Sequence, residues 1–166
     1  LDPRGRPFKV VKYATDITGQ KVRNADFAAQ LDAIGQAQAI IEFSMDGKIL
    51  TANDNFLKTL GYTLPEIQGR HHSMFAEESY QRSPAYQEFW AQLNRGLYQA
   101  GEFKRRGKGG KEVHLQASYN PILDLAGRPY KVVKYATDIT TQVTVRNEIA
   151  KTATALAASS EELTAI

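Results

Sequence analysis

The stretch that decides the fold is IIEFSMDGKILTAN, residues 40–53, in which two β-rich runs flank Asp46-Gly47. An Asp-Gly pair between such runs is the strongest short-range signal for a β-hairpin. We therefore predict a strand over 40–45, a tight turn, and a second strand over 48–53.

Short helices and then three further strands are predicted downstream of this hairpin. Asn53 begins a short helix, and Ser83-Pro84 begins a longer one with aromatic residues at helical spacing. The last three strands are predicted at 99–106, 111–120 and 130–139. The order β-β-α-α-α-β-β-β predicts an α+β fold. It consists of a five-stranded antiparallel sheet with short helices on one face, flanked by N- and C-terminal helices.

An internal repeat sets the domain boundaries. LDPRGRPFKVVKYATDITGQ (1–20) and LDLAGRPYKVVKYATDITTQ (123–142) are identical at sixteen of twenty positions. The shift of 122 residues is the length of a compact domain rather than of a solenoid repeat. We therefore predict tandem copies of one domain. The predicted parts are the last strand of a preceding copy (1–20, with the strand at 8–17), a linker helix (21–36), a complete domain (37–142) and the start of a C-terminal coiled-coil helix (143–166). The strand at 8–17 has lost its own sheet, and it either pairs with an exposed edge, in this chain or in a partner chain, or stays loosely attached.

The composition excludes several classes of function. The chain has no Cys, which excludes disulfides, thiolate metal sites, a Cys nucleophile and light sensing through a flavin–cysteinyl adduct. Its net charge is only +3, from 21 basic and 18 acidic residues, so no nucleic-acid partner is indicated. The basic run at 104–111 is interpreted as a solvated hairpin tip. No catalytic triad or carboxylate pair stands out, and we predict that the chain is not an enzyme.

Three short motifs carry a resemblance to a known family. They are GRHHSMF (69–75), GKGGKEV (107–113) and QASYNPI (116–122), and they accompany the hairpin and the ATDIT sequence at 136–140. Together they resemble the PAS sensor domain. More narrowly, they resemble the tandem PAS domains of bacterial methyl-accepting chemotaxis transducers, in the biofilm-dispersion and aerotaxis branches. His114 is a departure, because similar domains often carry Trp there.

This resemblance implies a cavity between the sheet and the helices. The alternative is that the same apolar side chains only fill a core. The expected lining is Phe43, Phe56, Leu60, Ile67, Phe75, Phe89, Trp90, Leu93, Phe103, Leu115, Ala117 and Tyr119.

Two cofactors are compatible with the resemblance, and the absence of any cofactor is a third outcome. Haem requires an axial ligand, for which His72 is the preferred candidate ahead of His71. Flavin adenine dinucleotide (FAD) would stack on Trp90 with Asn53 as a polar partner. The other cofactor-binding candidates are Phe56, Phe89, Leu115 and Tyr119. The absorption spectrum of the purified protein separates haem, flavin and a colourless interior.

The last strand and the helix after it are the predicted output. Asp138, Ile139 and Thr140 form the junction, and Asp138 is expected to hold it through hydrogen bonds. Apolar residues then recur at heptad spacing, which predicts a paired helix and a homodimer. The heptad positions are Val145, Ile149, Thr152, Leu156, Ser159, Leu163 and Ile166. Glu161 and Glu162 partly fit a receptor methylation pattern.

Two functions remain open from the sequence. In the first, a small-molecule, redox or oxygen-related signal in the cavity is coupled to the signalling helix and to a downstream chemotaxis kinase or adaptor. In the second, a cofactor-free module dimerises or pairs with the neighbouring PAS copy. Both predict a cytoplasmic domain without membrane contact in this segment, because no apolar run approaches about 20 residues.

Overall fold

The computed structural model describes residues 2–7 and 9–164, with side chains described through residue 159. The chain divides into two units, Leu1–Ile34 and Gly35–Ile166. Helix α1, Thr18–Ala37, extends from the first unit into the second. The predicted linker helix at 21–36 lies within it.

The leading segment does not form the predicted strand. None of the described residues 9–17 belongs to a strand, and Phe8 lies outside the described residues. A strand needs a hydrogen-bonding neighbour, and the described part of the Leu1–Ile34 unit supplies no second strand. The described residues 9–17 therefore do not form, in this chain, the strand that their sequence is predicted to form in a preceding copy.

The second unit contains the helices and strands in the predicted order. It adds a 3₁₀ turn and a short helix within the segment 73–82, which was expected to be irregular. Its elements are β1 (Ala39–Ser44), β2 (Ile49–Ala52), α2 (Asp54–Leu60), α3 (Leu64–Ile67), a 3₁₀ turn (His72–Phe75), α4 (Glu78–Gln81), α5 (Pro84–Asn94), β3 (Gln99–Arg106), a second 3₁₀ turn (Lys108–Gly110), β4 (Glu112–Leu123), β5 (Pro129–Asp138) and α6 (Thr140–Thr164).

The five strands form one antiparallel sheet in the order β2-β1-β5-β4-β3. The last strand, β5, is therefore central, between β1 and β4. Its residue Lys134 lies opposite Ile41 on one side and Tyr119 on the other. The predicted α+β fold with a five-stranded antiparallel sheet is confirmed.

The inner face of the sheet and the short helices enclose one hydrophobic core. All twelve residues of the predicted lining belong to it: ten are buried, and Trp90 and Phe103 are partly buried against it. The rings meet mostly edge to face, as between Phe89 and Tyr119 with centroids 4.9 Å apart. Such aromatic pairs add roughly 1 kcal/mol each beyond area burial.

Gly47 brings the β1–β2 turn against the segment that carries the two histidines. It has φ +80°, and a Cβ atom there would lie 2.5 Å from Nε2 of His71. His72 N donates to the Gly47 carbonyl at 2.8 Å. Glycine is required at position 47 both for the backbone conformation and for this close approach.

The outgoing helix α6 begins directly after β5. Val143 in its first turn is buried, and Arg146 makes a bidentate ion pair with Glu102 of β3 at 2.9 and 3.2 Å. Val145, Ile149 and Leu156 are exposed. The side chains of Glu161, Glu162 and Leu163, and all of Ile166, lie outside the described structure.

Candidate functional site

His72 is the centre of a buried polar cluster under the helices. Its side chain is 1% exposed. Nδ1 lies 2.9 Å from the Tyr86 hydroxyl of α5, and Nε2 lies 3.0 Å from the Tyr119 hydroxyl of β4. The imidazole therefore bridges the helical layer and the sheet.

The surroundings keep this imidazole neutral. Burial lowers the pKa of His72 well below its usual value, and the nearby cations Arg105 and Lys134 lower it further. A neutral imidazole has one N–H donor and one acceptor nitrogen, and the two tyrosine hydroxyls satisfy both. Burial also raises the pKa of Tyr86 to about 12, so its hydroxyl stays protonated.

Two buried cations flank Tyr119. Arg105 of β3 is 4% exposed, and its Nη2 donates to the Tyr119 hydroxyl at 3.2 Å. Lys134 of β5 is 2% exposed, with Nζ 4.8 Å from the centroid of the Tyr119 ring and 5.8 Å from that of Phe56. Although burial acts to raise it, the net pKa of the Tyr119 phenol is lowered, because Lys134 and Arg105 favour the phenolate.

Arg105 is buried, contrary to the prediction, and Lys134 is a buried cation that no sequence motif singled out. Arg105 belongs to the basic run that was interpreted as a solvated turn, yet it faces inward. Its register partner on β4 is the buried Val113, and the strand alternation therefore turns it to the core. Lys134 lies in the same phase as the buried Val132 and Ala136. Applying the period of two through the charged positions would have found both residues.

The arrangement does not fit haem ligation by His72. Both ring nitrogens are already engaged by hydroxyls, and aromatic rings surround the imidazole. Phe89 stacks on it at 6.1 Å, and Phe43 and Trp90 meet it edge-on at 5.3 and 5.5 Å. An iron atom at either nitrogen would have to replace a tyrosine contact. His71 instead accepts a hydrogen bond from Ser73 N at 3.1 Å and caps the 3₁₀ turn.

The arrangement also does not fit the predicted flavin contact. The Trp90 indole packs edge to face against Phe43 and Phe89 at 6.0 and 5.9 Å, and it lies tilted against His71 at 6.1 Å. Protein side chains therefore occupy the surroundings in which a flavin ring would stack. The Trp90 Nε1 atom is buried near Tyr86 without the geometry of a hydrogen bond.

Asn53 is held in a backbone network rather than beside Trp90. Its Oδ1 accepts from Phe56 N at 3.0 Å, as the N-cap of α2, and from Ile40 N at 2.9 Å. Its Nδ2 donates to the carbonyls of Gly35 and Gln38 at 3.0 and 2.8 Å. These four bonds use its amide to tie α2 to β1, and Asn53 is not a polar partner for a cofactor in this arrangement.

The remaining predicted site residues are brought together in the core. Phe56, Phe89, Leu115 and Tyr119 are each at most 7% exposed and belong to the same cluster. Of these, only Tyr119 contributes a polar atom to the interior.

The junction residues form a hydrogen-bond relay from β4 to α6. His114 N donates to Thr140 Oγ1 at 3.0 Å, and Thr140 Oγ1 donates to Asp138 Oδ1 at 2.6 Å. Asp138 Oδ1 also accepts from Thr140 N at 2.9 Å, and Ile139 N donates to the His114 carbonyl at 2.8 Å. The relay joins the ends of two sheet strands to the first turn of the outgoing helix. The hydrogen-bond donors to Asp138 are the backbone N–H and the hydroxyl of Thr140.

A surface groove of about 370 Å³ reaches the buried cluster from outside. It lies between the α4 region and β3, and Arg105 forms part of its wall together with Tyr80 and Phe103. The groove also contains Glu77 and Glu102, which pair with Lys104 and Arg146, both at 2.9 Å. Each of its acidic groups thus has a surface cation as a partner, although Lys104 also pairs with Glu112 at 2.8 Å.

An antiparallel sheet of this strand order, with helices over one face and a helix leaving its central strand, defines the PAS class of α+β domains. The model of the family described as the PAS fold matches residues 49–136. The chain belongs to this family, as the sequence predicted.

Two curated proteins are similar to the chain. The biofilm dispersion protein BdlA of Pseudomonas aeruginosa is 46% identical over 138 residues, which are 83% of this chain and 33% of that protein. The aerotaxis receptor of Escherichia coli is 33% identical over 75 residues, 45% of this chain and 15% of the receptor. The predicted resemblance to these two branches is confirmed. The chain spans a third or less of either relative.

Solved structures support the fold alone. An RNA-binding light-oxygen-voltage receptor aligns with a TM-score of 0.65 at 17% identity, covering 87% of this chain and 41% of that one. A PAS domain from Colwellia psychrerythraea aligns with a TM-score of 0.55 at 20% identity, covering 76% and 99% of the two chains. Within the described residues, no helix has the length and apolar character of a membrane span.

Proposed function

We propose that this chain is the sensory PAS domain of a chemotaxis signal transducer. In this function a small-molecule, redox or oxygen-related signal changes the buried interior. The change alters helix α6, and through this helix it acts on a downstream kinase or adaptor. The observation that carries the proposal is the relay His114–Thr140–Asp138, which connects the sheet to the first turn of α6. The similarity to a biofilm dispersion protein and an aerotaxis receptor supports it.

The mechanism uses the central position of β5. Lys134 of this strand lies in the interior, and Asp138 at its end accepts hydrogen bonds from the first residue of α6. A change in the interior that moves β5 relative to β4 changes the geometry of the relay. The output then requires two packings of α6 separated by a few kcal/mol, one of which the signal favours.

Replacing Asp138 with Ala should uncouple the interior from the output. The variant removes both hydrogen bonds that Thr140 donates to the carboxylate at the start of α6, and should cost about 1 kcal/mol of stability. We expect the full-length protein to fold and to lose its signal-dependent change in kinase activity. The measurement is kinase activity with and without the stimulus in a reconstituted signalling complex.

A matched control is available at the tip of the β4–β5 turn. Asp124 also accepts hydrogen bonds from residues two and four positions later, at 2.9 Å each, but it lies away from α6. Asp124→Ala should leave signalling intact, whereas Thr140→Val should reproduce the Asp138 defect. Normal signalling by Asp138→Ala would rule out the role of the junction.

The leading residues are proposed to be the end of a preceding PAS copy. Asp2 accepts from Arg4 N and Arg6 N at 2.9 Å, the same geometry that Asp124 adopts in the complete domain. Asp16 accepts from Thr18 N at 2.8 Å at the start of α1, as Asp138 does for α6. Both ends of the repeated segment thus have the same local structure in the two copies, which supports the tandem arrangement.

The exposed residues of the outgoing helix α6 indicate its binding partner. Val145, Ile149 and Leu156 are exposed at heptad spacing, which supports homodimerisation through α6. We further propose that the domain works in the cytoplasm, in a parent protein that is either soluble or membrane-anchored.

A cofactor-free interaction module is the second candidate. The observation that favours it is the packing of the interior, in which His72 has a hydroxyl on each nitrogen and Trp90 is surrounded by side chains. In that case the domain would pair with its neighbour or with a second copy, and Asp138→Ala would not change any response to a small molecule.

A further inference from the structure

The interior contains buried positive charge without a carboxylate partner, which the contacts of Arg105 with the Phe103 ring and of Lys134 with the Tyr119 ring, both at 4.8 Å, offset only in part. Arg105 and Lys134 are both at least 96% buried, and neither forms an ion pair with any carboxylate in the described part of the chain. Burying an unpaired cation is costly, and proteins normally supply a partner. A ligand that carries negative charge would be such a partner.

The guanidinium of Arg105 has an unused donor. Its Nη1 donates to the Lys104 carbonyl at 2.8 Å and its Nη2 to the Tyr119 hydroxyl at 3.2 Å, while Nε is buried with no partner. The Nη2 contact is also long for a charge-assisted hydrogen bond, which is usually 2.7–2.9 Å to an anionic oxygen. Nε is therefore the unsatisfied donor of this guanidinium, and it lies beside an Nη2 whose contact with the Tyr119 hydroxyl is long.

The carboxylates nearest to Arg105 form ion pairs with surface cations. The guanidinium edge of Arg105 is therefore the favoured position for an anion. Glu77 and Glu112 both pair with Lys104, at 2.9 and 2.8 Å, and Glu102 pairs with Arg146. These three acidic groups lie at the surface, where the two cations Lys104 and Arg146 pair with them. The neutral His72 adds no charge of its own to the interior.

We propose that this site binds a small organic carboxylate, held by the Nε and Nη2 edge of Arg105 and by the field of Lys134. The inference rests on the proposed sensory function, for which it names the class of ligand. A carboxylate matches a planar guanidinium edge with two parallel hydrogen bonds. The groove of about 370 Å³ beside Arg105 is large enough for a small ligand, and Phe103 and Tyr80 provide its aromatic walls.

The test uses benzoate as the probe and benzamide as its neutral counterpart of the same shape. Binding to the full-length protein is measured by isothermal titration calorimetry, with inorganic phosphate as a bare anion. We expect benzoate to bind at least about tenfold more tightly than benzamide, because only the carboxylate gains charge-assisted hydrogen bonds. Equal binding of the two, or no binding of benzoate, would overturn the proposal.

Two arginines next to each other provide the matched variants. Arg105→Gln should weaken benzoate binding by about tenfold or more, and Arg106→Gln, on the exposed side of the same strand, should leave it unchanged. Equal effects of the two variants would mean that the anion binds only to the surface charge. Lys134→Met, which keeps the length of the side chain, should also weaken benzoate binding and serves if Arg105→Gln does not fold.

An internal counter-charge is the competing explanation for the buried cations. If Tyr119 is a phenolate at neutral pH, the ultraviolet difference spectrum of the native protein will show a tyrosinate that Tyr119→Phe removes. That result would overturn the carboxylate site.

If benzoate does not bind while Asp138→Ala still uncouples signalling, the ligand class is wrong and the proposed function stands. If benzoate binds but Asp138→Ala signals normally, the ligand class stands and the proposed role of the junction is wrong.

Discussion

Replacing Asn53 with Ala should lower the free energy of unfolding by about 3 kcal/mol, the largest loss we expect from a single polar side chain. Its amide makes four hydrogen bonds, which join the N-terminus of α2 to β1 and to the end of α1. Loss of an N-cap costs about 1 kcal/mol, and each buried backbone group left without a partner adds about 1 kcal/mol or more. Denaturant unfolding followed by circular dichroism measures the difference.

Two variants make this prediction specific. Asn53→Asp keeps the oxygen that accepts from Phe56 N but faces the carbonyls of Gly35 and Gln38 with an oxygen instead of a donor, and it should lose stability too. Asn55→Ala removes a single nitrogen that is shared among three carbonyls at 3.0–3.3 Å, so its loss should be smaller, about 1 kcal/mol. If Asn53→Ala is no more destabilising than Asn55→Ala, the network is not a stabilising element.

Acid should destabilise the domain in a pH range where carboxylates do not titrate. Burial lowers the pKa of His72 below its ordinary value of 6.5, so the unfolded chain binds a proton that the folded chain excludes. The stability is therefore complete above pH 6.5 and falls as the pH decreases below it, by about 1.4 kcal/mol per pH unit for one group. The loss continues until the pH reaches the lowered pKa of His72 in the folded chain.

Substituting His72 and His114 one at a time shows which histidine causes this pH dependence of the stability. His72→Phe should remove most of the slope between pH 6.5 and about 5, because phenylalanine fits an aromatic surrounding and binds no proton. His114→Gln, at the partly exposed junction, should retain it. The measurement is the free energy of urea unfolding at several pH values. A flat profile in the wild-type chain would show that His72 is accessible to protons in the folded state.

The fold could be predicted because its signals are local. Asp46-Gly47 specified the first hairpin, Ser83-Pro84 specified the start of α5, and both agree with the structure. The alternation of Val113, Leu115, Ala117 and Tyr119 with polar residues correctly indicated which face of β4 is buried. These patterns depend only on backbone preference and on the period of the element.

The site was predicted less well because it depends on contacts between distant residues. His72 and Tyr119 are 47 positions apart in the chain and meet only when β4 lies under the 3₁₀ turn. Arg105 and Lys134 are charged residues at inward positions, and a charged residue usually indicates the solvent side. Asn53 was assigned to a cofactor, although an Asn at a helix start most often caps the helix.

The described residues 9–17 do not form a strand in this chain for a related reason. The repeated sequence is almost the same as that of β5, yet only the second copy has β1 and β4 as neighbours. Strand structure depends on hydrogen-bonding partners more than on the residues of the strand itself. The turn at Asp2 and the hydrogen bond from Thr18 to Asp16 form as in the second copy, because both lie within the segment.

The central claim is that the interior of the sheet controls helix α6. Its most direct test is the distance between spin labels attached at Ile149→Cys on two copies of the full-length protein, measured by pulsed electron paramagnetic resonance. Lys134→Met changes the interior face of β5, and Lys131→Met changes a partly exposed lysine of the same strand that pairs with Glu42. We predict that Lys134→Met shifts the distance distribution and that Lys131→Met does not. Identical distributions in the wild type and both variants would contradict the claim.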